Sequence, residues 1–209
     1  MHIAIRAAAA QQKELMEKGF PENITVQWIE PAGKLSGIIA DVFFDLCFDD
    51  TNISANELTD NALVFVHAVN CVGPQINKPD YVRLNAWPGF LNRSVIELAC
   101  SHPVTVQKAE AVLKKLNWQF IWAEDDYGFI AARIIAMIIN EAYFALEENV
   151  STKQQIDIAM RLGTNYPYGP FEWGEKIGLK NIYNLLSRLA EKDARYTIAT
   201  LLEHESQQT

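Results

Sequence analysis

Hydrophobic positions follow two different periods along the chain. Up to about residue 125, apolar runs of strand length alternate with helical stretches, and strands are predicted over 2–5, 24–30, 39–48, 62–69, 80–85 and 119–124. The runs ADVFFDLCF and ALVFVHAV are almost continuously apolar and rich in Val and Phe, the pattern of strands covered on both faces of a parallel sheet. Helices are predicted over 9–18, with Gly19 as the stop, and over 105–116. From Gly128 onward only the helical period remains. One long helix runs to about 148, and a second begins after Thr152, where Gln155 completes a capping box, and stops at Gly163. A loop rich in Pro, Gly and Tyr then precedes helices over 181–191 and 195–203. The charged turn at 124–126 separates the two characters. An α/β domain over 1–125 followed by an all-α domain over 126–209 is the expected organisation.

Composition narrows the partners. With 49% hydrophobic and 21% charged residues the 209-residue chain reads as an ordinary soluble protein, and its net charge of −8 repels nucleic-acid phosphates and anionic membranes. The most apolar segment, from Gly128, carries Arg133, Asn140 and Glu141 and so reads as a buried helix rather than a span. Met1 leads straight into a strand, with no leader pattern, and a cytoplasmic location is expected. Cys47, Cys71 and Cys100 show no C-x-x-C spacing and read as buried reduced thiols. No ligand spacing suggests a metal, and there is no G-x-S-x-G or Walker loop.

The helical half carries an ordered set of residues. Gly128-Phe129 opens the long helix, Asn140-Glu141-Ala142 lies in its middle and Ile156-Asp157 falls in the next. Pro167-x-Gly169-Pro170-Phe171 then leads to Ile177-Gly178-Leu179. On the residues alone, Gly169 and Pro170 bend and stiffen the loop, with Pro170 able to occupy the first turn of a following helix, while Phe171 and Trp173 anchor the loop in a helical core. The whole set resembles the C-terminal domain of the 3-hydroxyacyl-CoA dehydrogenase family. That resemblance implies a truncated Rossmann-like domain followed by a helical domain of the 6-phosphogluconate dehydrogenase C-terminal type. It also implies NAD as cofactor, an acyl-CoA-like small molecule as ligand, and a homodimer or pairing with a full-length relative.

Against the family's dinucleotide-binding pattern the first half is altered. The three glycine positions of G-x-G-x-x-G fall on Arg6, Ala8 and Gln11. Those glycines serve the tight turn, the close approach of pyrophosphate and the helix–strand contact. Arg6 brings bulk to the turn, Ala8 adds a Cβ facing the phosphates, and Gln11 is expected to prop the helix off the sheet. The helix N-terminus still favours an anion, and Arg6 either adds a charged contact there or is a surface arginine. Glu30 stands where the family holds the adenosine ribose, or is a solvated strand end. Only PAGKLSGI follows it before the third strand, where the family has a helical excursion.

The chemistry is altered as well. In the family a histidine takes the hydroxyl proton, a glutamate twelve residues later orients it, and an asparagine at the start of the long helix binds the reacting oxygen. Glu97 matches the glutamate, but Asn85 stands twelve residues before it and Ala132 replaces the helix asparagine. Pro88-Gly89 replaces the Asn-Pro after the histidine, and Arg93 is a candidate donor to Glu97 if that stretch is helical, a strand reading equally well. His67, near the end of ALVFVHAV, is the candidate replacement base, its plain reading being a core-edge histidine with a backbone partner. Asparagine accepts no proton near neutral pH, so impaired catalysis is expected.

Overall fold

The computed structural model describes residues 1–56 and 62–208. It divides into two compact units, Met1–Phe129 and Ile130–Thr209, a few residues beyond the charged turn.

Among the described residues the first unit has seven strands: β1 (His2–Arg6), β2 (Thr25–Ile29), β3 (Val42–Asp45), β4 (Leu63–His67), β5 (Tyr81–Leu84), β6 (Val95–Ala99) and β7 (Gln119–Trp122). They form one sheet in the order β2-β1-β3-β4-β5-β6-β7. Its helices are α1 (Ala9–Lys18), α2 (Gly73–Ile76) and α3 (Pro103–Lys115). From one face Ile3, Ile5, Phe44 and Phe65 pack with Leu15 of α1 and Leu113 of α3. On the other, Ala4, Phe43, Val64 and Val66 pack with Leu35 and Ile76. Alternate residues of the same strands thus enter two separate cores, which is why those runs are continuously apolar. The β2–β3 connection contains turns and no helix, and it is pinned by buried Leu35.

Two details of this unit differ from expectation, and one open reading is decided. The sheet is not wholly parallel: β6 runs antiparallel to β5, and β7 is parallel to β6. The β5–β6 link has no crossover helix, so the chain turns back beside itself, whereas α3 supplies the crossover from β6 to β7. Of the two readings left open for the stretch around Glu97, the structure shows the strand. The predicted 39–48 strand contracts to β3, because the Asp45 side chain accepts the Cys47 N–H (3.2 Å) and bends the chain out of the sheet.

The second unit contains α4 (Ala131–Glu147), α5 (Lys153–Thr164), α6 (Pro170–Ile177), α7 (Leu179–Ala190) and α8 (Thr200–Ser206), with a 3₁₀ turn at Ala194–Tyr196. α4 buries Ala132, Ile135, Ala136, Ile139 and Tyr143 at helical spacing. The Pro-Gly-Tyr loop contains α6, which is capped from outside: Asp157 of α5 accepts N–H bonds from Phe171 (2.8 Å) and Glu172 (3.3 Å). A Cβ at Gly169 would lie 2.3 Å from Asp157 Oδ1, so this approach requires glycine. Phe171 and Trp173 are buried, as expected. The predicted 195–203 helix is broken into the 3₁₀ turn and α8. Asn140 Nδ2 donates to Thr197 O (2.8 Å) and its Oδ1 accepts Ala199 N–H (2.9 Å), claiming groups a continuous helix would use. The capping box is half formed: Thr152 Oγ1 accepts Gln155 N–H (3.3 Å), but Gln155 Oε1 accepts from Ser151 (2.7 Å). α5 runs one residue past Gly163, to stop at Asn165 in the left-handed region (φ 55°).

No described helix is long and apolar enough to cross a membrane. The three cysteines are free thiols; Cys71 is buried, but Cys47 and Cys100 are only half-buried.

Candidate functional site

The antiparallel β5–β6 ladder brings together residues twelve apart. Leu84 pairs with Leu98, so the next step sets Asn85 opposite Glu97. Asn85 Nδ2 donates to Glu97 Oε2 at 3.3 Å. Its Oδ1 accepts the Trp87 N–H (3.2 Å), which holds the amide in this orientation. Asn85 is 2% exposed. The pair thus keeps a carboxylate facing a buried amide that donates hydrogen bonds and takes no proton. Arg93 lies in the turn before β6, donates from Nε to Gly89 O (3.2 Å) and feels the charges of Glu97 and Glu14, while burial lowers its own pKa.

His67 ends β4, and its Nδ1 accepts the Ala86 N–H (3.1 Å), the backbone partner of its plain reading. Burial lowers its pKa below the usual histidine value, outweighing the opposing pull of Asp50, the Leu84 backbone and Asp45. In the neutral ring that bond leaves the proton on Nε2. His67 is therefore a weakened base whose Nδ1 lone pair is in use. Ala132 is fully buried in the first turn of α4 and offers an apolar methyl.

The β1–α1 turn does not form a phosphate cradle. Arg6 is no surface arginine: Nε and Nη2 donate to Asp45 Oδ1 (2.8 Å) and Oδ2 (2.6 Å), and Nη1 reaches Gly33 O (3.4 Å). Ala8 is the N-cap residue of α1, and its N–H is taken by Gln11 Oε1 (3.0 Å). Gln11 does not prop the helix away; its Nε2 donates to Leu46 O (2.9 Å) and Ala86 O (3.4 Å). Glu30 is exposed just past β2. A dinucleotide diphosphate needs bare backbone at this turn; the side chains of Arg6, Ala8 and Gln11 stand there instead, and the residues present do not fit it. Among the described residues no group of three or more His, Cys, Asp or Glu is placed to hold a metal ion.

Sequence reasoning missed the most buried charge. Arg83, 1% exposed in β5, donates to Ala68 O (3.1 Å), Asp125 Oδ1 and Asp126 O (3.1 Å), and its guanidinium lies over Phe129. It fastens the 125–129 segment to the sheet, and a lone Arg inside an apolar strand was the available signal. Asp50 was also missed: it accepts the Val69 and Asn70 N–H groups at 2.6 Å, fixing the turn after β4. Nothing in its loop sequence marks that role.

Residues 128–207 match the family described as 3-hydroxyacyl-CoA dehydrogenase, C-terminal domain. The chain is 46% identical over 102 residues to 3-hydroxyadipyl-CoA dehydrogenase of Escherichia coli K12, covering 48% of this chain and 22% of that protein. It is 28% identical over 164 residues to 3-hydroxybutyryl-CoA dehydrogenase of Clostridioides difficile, covering 76% of this chain and 56% of the relative. These matches span between about a fifth and somewhat over half of the relatives' own length. The structure of (S)-3-hydroxybutyryl-CoA dehydrogenase PaaH1 from Ralstonia eutropha superposes with a TM-score of 0.69 at 17% identity, over 97% of this chain and 92% of that one, and shares the fold.

Proposed function

Since the chain belongs to the 3-hydroxyacyl-CoA dehydrogenase family, we propose that it is a member in which the family reaction, NAD-dependent oxidation of a 3-hydroxyacyl-CoA, is impaired. The carrying observation is the 3.3 Å contact of Asn85 with Glu97. The carboxylate is oriented toward a group that cannot take the hydroxyl proton, and loss of a general base costs about 10²–10⁴ in rate. The nearest substitute, His67, has Nδ1 occupied and a lowered pKa. Assayed with NADH and acetoacetyl-CoA, the chain is expected to give no steady turnover. Turnover abolished by Glu97→Ala would overturn this reading.

What remains is a dimeric binder of an acyl-CoA-like small molecule, or a partner of a full-length relative. Self-association is supported by one face of α4, where a groove of about 440 Å³ is lined by Arg133, Ile134, Met137, Ile138 and Glu141, with Arg195 and Tyr196. Ile134 is 51% exposed there. Arg133 and Glu141 lie equally far on either side of Met137. Two copies of α4 crossing antiparallel at Met137 set each Arg133 against the other's Glu141 and bury the isoleucines between them. Ile134→Asp is expected to shift the protein from dimer to monomer in sedimentation at micromolar concentration. A wild type that is already monomeric there contradicts the homodimer. Ligand binding is read by thermal shift with CoA and acetoacetyl-CoA, since saturation at a hundred times Kd adds about 2.7 kcal/mol.

A further inference from the structure

Ligands of open α/β sheets bind beyond the carboxyl ends of the strands, where the strand order reverses. In this sheet that point lies between β1 and β3, because the chain goes from β1 outward to β2 and returns on the other side to β3. Arg6 is the last residue of β1 and Asp45 the last of β3, and they are register partners. Their two-pronged ion pair spans the switch point, with the side chains 13% and 3% exposed. Behind it Gln11 ties the start of α1 to the first residue after β3 and to the segment after β5. Three residues further along the helix, Glu14 accepts N–H bonds from Gly89 (2.6 Å) and Leu91 (3.1 Å), extending the seam along the same segment.

We infer that Arg6, Asp45 and Gln11 form an internal latch that closes the switch-point crevice and joins β1, β3 and the segment after β5 in place of a bound dinucleotide. The electrostatics support closure rather than a relocated phosphate site. A phosphate brought to Arg6 meets the Asp45 carboxylate already bound there: sharing the guanidinium sets two negative charges side by side, and displacing Asp45 strands a buried carboxylate. At the start of the helix the Gln11 carboxamide oxygen takes the N–H of the N-cap residue, Ala8. The cation that would attract a diphosphate is thus engaged inside the protein.

The latch rests on residues other than the Asn85–Glu97 pair, so binding, not turnover, tests it. In fluorescence and calorimetric titrations of the full chain, NADH and ADP are expected to give no saturable binding up to millimolar concentration. Saturable binding of either probe to the wild type overturns the proposal. In urea denaturation, Arg6→Gln and Asp45→Asn are each expected to lower the midpoint, and the double variant to lower it no further than the worse single one. Additive losses, or an Arg6→Gln variant of unchanged stability, overturn it as well. Should a variant fail to fold, the wild type decides. Its Arg6 Nε–H resonance is expected to exchange slowly and to stay in place on addition of NADH, and a shift of that resonance on titration overturns the latch.

Discussion

Arg83→Met is expected to be the most destabilising single substitution in the first unit, costing about 3–5 kcal/mol in urea denaturation. The methionine keeps most of the volume, so the loss is electrostatic. Asp125 loses its guanidinium partner, and the carbonyls of Ala68 and Asp126 lose their donors, all where water reaches poorly. Asp125 also accepts the Gly73 N–H (3.0 Å), so the damage extends to the start of α2. A loss of under about 1 kcal/mol, the range of exposed pairs, would show that the contacts are incidental.

Asn85→His is expected to restore a titratable pair without restoring an enzyme. The β5–β6 register sets residue 85 opposite Glu97, so an imidazole placed there meets a carboxylate. That carboxylate favours the charged ring and holds its pKa above the value that the same buried ring has without it. An NMR titration is expected to show this as a new imidazole signal, distinct from His67, which burial holds low. NADH-dependent turnover is not expected to return, because the latch at Arg6 is untouched. If adding Glu97→Gln to the Asn85→His variant does not lower the pKa of that imidazole, Glu97 is not opposed to it.

Much of this was readable from residue order because it depends on short-range regularities. The continuous apolar runs gave the central strands, and helical spacing gave α4. The interval of twelve between Asn85 and Glu97 came from the resemblance to the family's histidine and glutamate, and the ladder explains it. The pairing itself was not readable, since an antiparallel β6 is decided by what the β5–β6 link lacks. Pro170 marked a position where a helix could start, but the extent of α6 was not read, because its cap, Asp157, comes from the preceding helix. The division of 195–203 was missed for the same reason: Asn140, more than fifty residues earlier, takes the backbone groups that helix would have used. Arg6 looked like either an anion ligand or a surface charge, because its partner lies 39 residues away. In each case the deciding hydrogen bond is long-range in sequence.

The most direct measurement follows a single hydride. Stoichiometric protein is incubated with acetoacetyl-CoA and NADH deuterated at the reactive carbon, and the recovered thioester is weighed by mass spectrometry. With an amide in place of the base and the crevice latched, deuterium in 3-hydroxybutyryl-CoA is expected to stay at the level of a protein-free control. Incorporation above that level, absent from Glu97→Ala protein, would contradict it.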